Sequence, residues 1–147
     1  MVANMNPQAI IAQRFPKIVI PLIEAARHSI DIVVYDWRWY PTVGGSPVSQ
    51  FNAAIVAAAK RGVAVRALVN NDGVVDRLRS YGIQARRLHS KRMLHTKMMM
   101  IDNTKIVLGS HNYTQHGFAL NEEASVFFEM EMPVNDFWKY FNGLWGV

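Results

Sequence analysis

Cysteine is absent from the 147-residue chain, which excludes a disulfide frame and any thiolate metal site. Long hydrophobic runs are missing as well. The longest, Ile18-Val19-Ile20-Pro21-Leu22-Ile23, falls far short of the roughly 20 residues that cross a bilayer, so no stable membrane insertion is expected. The opening stretch MVANMNPQAIIAQRF has no charged leader followed by an apolar block and reads as no signal peptide. Charge is sparse too: only 18% of residues are Asp, Glu, Lys or Arg, while 50% are hydrophobic. That balance excludes disorder and, at this length, implies one domain over residues 1–147 with its own core.

What charge there is leans positive. The chain carries 16 Lys and Arg against 11 Asp and Glu, a net +5. Ten of the 16 lie between Lys60 and Lys97, opposed only by Asp72 and Asp76. From Ala119 onward the bias reverses, with Glu122, Glu123, Glu129, Glu131 and Asp136 facing a single Lys139. A basic stretch is often just a solvated face. Here Arg86, Arg87, Lys91 and Arg92 lead directly into His95, and that placement points to an electrostatic footprint for a polyanion such as nucleic acid.

Periodicity predicts alternating helices and strands. A helix is expected over Ile18–His28, with Pro21 opening or kinking it, then a buried strand over Ser29–Trp37. A turn-rich loop, Tyr40–Gly45, precedes Ser46-Pro47, an N-cap and first-turn pair for a helix burying Val48, Phe51, Ile55 and Ala58. Gly62 ends that helix and Val63–Val69 forms a strand. A short helix from Asp72 to Tyr81, a strand over Ile83–Leu88, and a hairpin of Leu94–Ile101 with Lys105–Leu108 follow. Ser125–Glu129 reads as another strand and the tail after Pro133 as a final helix. The fold class is α/β, a mixed β-sheet flanked by helices on both faces.

The stretch LHTKMMMIDNTKIVLGSHNY, residues 94–113, holds the chemistry. Strand alternation puts His95 and Lys97 on one face, beside an apolar run that would make burying them costly without a use. The hairpin returns Gly109, Ser110 and Asn112 to the same end. Imidazole can act as nucleophile or acid, lysine neutralises phosphate charge, and the Gly-Ser-x-Asn loop offers donors to an oxyanion. Asp102, at the hairpin tip, suits a turn role. His111 and His116 flank the site and read equally as substrate contacts or as surface residues. Trp37, Arg38, Trp39 and Tyr40 read either as packing or as an aromatic wall for unpaired bases. The eight methionines are core filler.

His95-x-Lys97, Asp102 and Gly109-Ser110-x-Asn112 resemble the signature of the phospholipase D superfamily, HxKxxxxD followed by Gly-Ser-x-Asn. Six fixed positions coincide by chance on the order of 10⁻⁸ per start point. Asn121-x-Glu123 is similar to the superfamily's downstream acidic element. His89-Ser-Lys91 mimics the first letters only, since Thr96 stands where the aspartate belongs. With one motif, the chain resembles the small Nuc-type bacterial endonucleases, which implies a homodimer sharing one site and leaves bacterial cytoplasm or periplasm open.

The resemblance implies that His95 forms a phosphohistidine while the partner's His95 protonates the leaving oxygen. It implies that Lys97 and Asn112 hold the non-bridging oxygens, with Ser110 near the phosphate. Glu123 orients the histidine, with Glu122 the fallback, and Gly109 shapes the motif. Arg92, Lys91, His111 and Trp37 are expected to touch substrate. No cofactor and no metal are implied. A pair of imidazoles, one neutral and one protonated, predicts a bell-shaped pH profile near the free histidine value of about 6.5. The rival readings are a phospholipid phosphodiesterase, a metal-dependent nuclease using His95, Glu122 and Glu123, and a nucleic-acid-binding module with an idle site.

Overall fold

The structure is a computed structural model that describes residues 7–40 and 45–146. Seven strands form one sheet in the order β1-β7-β6-β5-β2-β3-β4. They are β1 (Gln8–Ile11), β2 (Ser29–Val34), β3 (Ala64–Val69), β4 (Gln84–Arg87), β5 (Lys97–Ile101), β6 (Lys105–Gly109) and β7 (Ala124–Glu129). The three strands β2, β3 and β4 run parallel, whereas β5, β6, β7 and β1 continue the sheet antiparallel. The sheet is therefore mixed, as its sequence pattern predicts.

Among the described residues, four α-helices cover it: α1 (Phe15–Glu24), α2 (Pro47–Lys60), α3 (Val75–Ser80) and α4 (Asp136–Trp145). Alternation along each strand sends side chains to two different cores. Ile30, Ile32, Val34, Met99 and Val107 meet α1, α2 and α3 on one face. Val33, Leu68, Met98, Met100 and Ile106 meet Phe141 and Trp145 of α4 on the other. The methionines of β5 are thus buried filler on both sides.

Local chemistry explains the helix ends. Ser46 accepts the Ser49 N–H at 3.2 Å and Pro47 occupies the first turn, and Val48, Phe51, Ile55 and Ala58 are buried as expected. Gly62 then turns the chain at φ 100°, a conformation that costs other residues more. The first helix differs from its expected span. It starts at Phe15 because Pro16 sits in the first turn, and it ends at Glu24 with Pro21 inside it. The anticipated loop 40–45 falls largely on residues 41–44, outside the described residues.

Two features were not anticipated. Strand β1 pairs with β7, and residues His116–Leu120 form a π-helical turn closed by Asn121 N–H donating to His116 O at 2.8 Å. On the α4 face, Asp31 is 1% exposed and bound by Arg66 at 2.8 Å. Arg66 also donates to Asn142 at 3.2 Å and lies over the rings of Phe141 and Trp145, so it ties α4 to the sheet. Burial pushes the Asp31 carboxyl up, against the pull of Arg66.

Candidate active site

The site forms where β2 ends. Val34 pairs with Lys97, and beyond it Tyr35 and Asp36 leave the sheet. Parallel strands commonly collect ligands outside their carboxyl ends. His95 does not lie in the strand, as alternation suggested; β5 begins at Lys97 because β2 offers no partner further out. His95 is exposed while Lys97 is only 9% exposed.

Lys97 Nζ donates to the His95 carbonyl at 2.8 Å. It also stands 3.1 Å from His95 Nδ1 and 3.3 Å from Nε2. Near-equal distances place the ammonium across the imidazole face, leaving the in-plane lone pair open. Tyr35 backs both groups: its ring centroid is 5.1 Å from that of His95 and 5.4 Å from Lys97 Nζ. An ammonium over an aromatic face is stabilised by the ring quadrupole. Burial pushes the Lys97 ammonium below its usual range, opposed by the nearby Glu123 carboxylate.

The β5–β6 hairpin supplies the opposite wall. Gly109 is required by packing, since a Cβ there would stand 2.3 Å from Ser125 Cα. Asn112 Oδ1 accepts the Asp36 N–H at 3.0 Å, which leaves the amide NH2 group as the donor of this side chain. Ser110 Oγ donates to Glu123 Oε1 at 2.6 Å and accepts the Ala124 N–H at 3.0 Å. Glu123 Oε2 accepts from Asn121 at 3.2 Å. Glu123 therefore orients Ser110 and Asn121, and among the described residues the expected bond to His95 is not made.

Asp102 plays the turn role and more. It sits at φ 51° beside Asn103 at φ 64°, and its carboxylate accepts the N–H groups of Arg27, His28 and Ser29 at 3.1, 2.7 and 3.0 Å. Burial raises this carboxyl, but those three donors and Lys105 outweigh it and the net shift is downward.

Two expected substrate contacts are corrected by their burial. Trp37 is 0% exposed and donates Nε1–H to Asn52 Oδ1 at 2.7 Å, so it packs in the core and offers no face to a base. His111 is 1% exposed, donates Nε2–H to Ala12 O at 2.8 Å and accepts from Ser125 Oγ at 2.7 Å. Burial pushes its pKa down, with Ala12 and Glu123 opposing; it fastens the motif loop to the β1 side. Lys91 and Arg92 are exposed in the loop before His95, and His116 is exposed in the π-helical turn. Tyr35 is the site residue that motif reading missed; its place just past β2 was the available signal.

Among the described residues, no group of three His, Asp or Glu side chains is placed to hold a metal ion, and no helix is long and apolar enough to cross a membrane. The same end of the sheet thus holds an accessible imidazole against a buried ammonium, an amide and a carboxylate-oriented hydroxyl, donor types suited to a phosphate diester.

Residues 19–145 match the family described as cardiolipin synthase, PLD-like domain, and the chain belongs to that phospholipase D family. It is 27% identical over 137 residues to the mitochondrial cardiolipin hydrolase of Xenopus laevis, covering 89% of this chain and 60% of that protein. It is 29% identical over 136 residues to cardiolipin synthase A of Shigella boydii, covering 76% of this chain but 27% of the synthase. The chain thus spans less than two thirds of either relative. Its fold resembles the phospholipase D family member Nuc from Salmonella typhimurium, with TM-score 0.76 at 24% identity and 95% of each chain covered. It also resembles NucT from Helicobacter pylori, with TM-score 0.78 at 18% identity and 97% and 96% covered.

Proposed function

We propose that the chain is a metal-independent endonuclease, hydrolysing DNA or RNA through a phosphohistidine at a site shared by two copies. The observation that carries the reading is the exposed His95 imidazole lying against a buried Lys97 ammonium. An ammonium at that distance attracts a phosphate anion and repels a metal ion. The nitrogen lone pair attacks phosphorus and the P–O bond to the leaving strand breaks. Lys97 and the Asn112 amide take up charge on the non-bridging oxygens as it builds. The same histidine of a second copy gives its proton to the leaving oxygen. It then accepts one from water as water displaces the phosphorus from His95.

The requirement for two imidazoles supports dimerisation. His111 cannot be the second, because both its nitrogens are engaged. A two-fold axis is the simplest way to bring two equal mouths to one phosphorus. The ten basic residues between Lys60 and Lys97 favour a polyanionic substrate.

The test is cleavage of oligonucleotides in excess EDTA by the wild type and by His95→Ala. Full activity with chelator and its loss in the variant are expected; equal activity in the variant refutes the assignment. A phospholipid diester is the second reading, favoured by the kinship with cardiolipin enzymes and by Met93 and Leu120, 69% and 65% exposed near the motif segments. Turnover of cardiolipin vesicles with no cleavage of oligonucleotides would select it.

A further inference from the structure

Four residues past Tyr35, the chain enters a hollow that the proposed chemistry does not use. It encloses about 370 Å³ in the groove between α2 and the turn after α3, a size at the low end for small-ligand pockets. Trp39 and Tyr81 stack along one wall with centroids 5.7 Å apart and planes 21° apart, and Tyr40 adds a third ring. Ala53 and Ala57, both exposed and one helical turn apart, leave the opposite wall low. Lys60 stands in the lining.

This hollow is physically joined to the site. Residues 36–40 run beside residues 112–115: Asp36 N–H donates to Asn112 Oδ1, Arg38 N–H to Tyr113 O, and Gln115 N–H to the Tyr40 hydroxyl. From Tyr35 to Trp39 the backbone spans at most about 14 Å. A strand held at His95 can place a neighbouring nucleotide there.

We propose that this hollow is a subsite for an unpaired nucleobase, and that it makes single-stranded nucleic acid the preferred substrate. The inference rests on the nucleic-acid reading above. Flat aromatic walls accept any base by stacking, whereas a paired base inside a duplex presents no free face. The charge fixes the class of ligand. An aromatic trio could also cage a quaternary ammonium such as choline, but the Lys60 ammonium in the lining repels that cation and attracts a nucleotide phosphate. Of the aromatic wall expected around Trp37–Tyr40, Trp37 is buried; Trp39, half-buried in the lining together with Tyr81, takes that role.

The experiment measures equilibrium binding in the His95→Ala protein, which cannot consume its ligand. The probes are a labelled oligothymidylate, an abasic oligomer of equal length with the same phosphates, and a duplex. Oligothymidylate should bind more tightly than the abasic oligomer. Trp39→Ala should reduce that preference about five- to hundredfold, the range for losing a base–aromatic stack. Ala57→Met, which fills the hollow from an exposed helix position, should do the same while abasic binding persists. A preference unchanged in both variants, or equal binding of the thymidylate and abasic oligomers before substitution, overturns the subsite alone. Failure to bind any of the three probes overturns the nucleic-acid reading together with it.

Discussion

Lys97 brings a positive charge to a place with little water. Its cost is met by a carbonyl, an aromatic face and the pull of Glu123. Because burial lowers its pKa, the ammonium deprotonates at lower pH than a free lysine, so phosphate binding should weaken earlier on the alkaline side. Tyr35 is the residue that holds this arrangement, since its ring touches both His95 and Lys97. Replacing it with leucine should lower kcat about two- to thirtyfold, the span of cation–π energies. Tyr35→Phe keeps the ring and should stay near wild type. Rates on one dinucleotide diester, with melting curves for all three proteins, check this. A phenylalanine variant as impaired as the leucine variant would show that the hydroxyl, not the ring, is what matters.

The β5–β6 hairpin is the element that assembles the site, and Asp102 locks it. Its carboxylate joins the turn to the segment between α1 and β2. Asp102→Asn keeps the shape but removes the charge, and should destabilise the fold by about 2 kcal/mol at neutral pH, as charged hydrogen bonds do. The sign follows from the depressed pKa: this stability is present above the unfolded carboxyl value of about 3.9 and is lost as pH falls through the folded one. Urea midpoints of the two proteins should therefore separate at pH 7 and draw together as pH falls below the unfolded carboxyl value. Elements with local punctuation were legible in sequence. Ser46-Pro47 and Gly62 bracket α2, and the Asp102-Asn103 pair marks the hairpin. Strand β1 was not legible, because only Ile10 of its four residues is buried and its pairing partner lies more than 100 residues away. The fates of Trp37 and His111 were hidden too, by contacts between different elements. Their partners Asn52, Ser125 and Ala12 are distant in sequence, and residue type alone does not say which way a ring faces. His95, Lys97, Ser110 and Asn112, the residues that motif spacing singles out, lie toward one end of the sheet because a hairpin returns its second strand to the start of its first.

At the scale of the whole molecule, the proposed reaction needs two copies of His95, so on that proposal activity is a property of pairs. Light scattering should report two chains per particle. Mixing wild type with excess His95→Ala, after subunit exchange, should reduce the rate per wild-type chain, because mixed pairs carry a single imidazole. A rate unaffected by such mixing would mean that each chain works alone. The sheet's polarity has a practical side as well. The locked turn and the chemical mouth stand at opposite ends of one five-residue strand pair, about 17 Å apart by strand rise. A fluorophore or surface tether attached at the exposed side chains of Arg27 or His28 would sit behind the catalyst, so immobilised enzyme should present its working end to solution unobstructed.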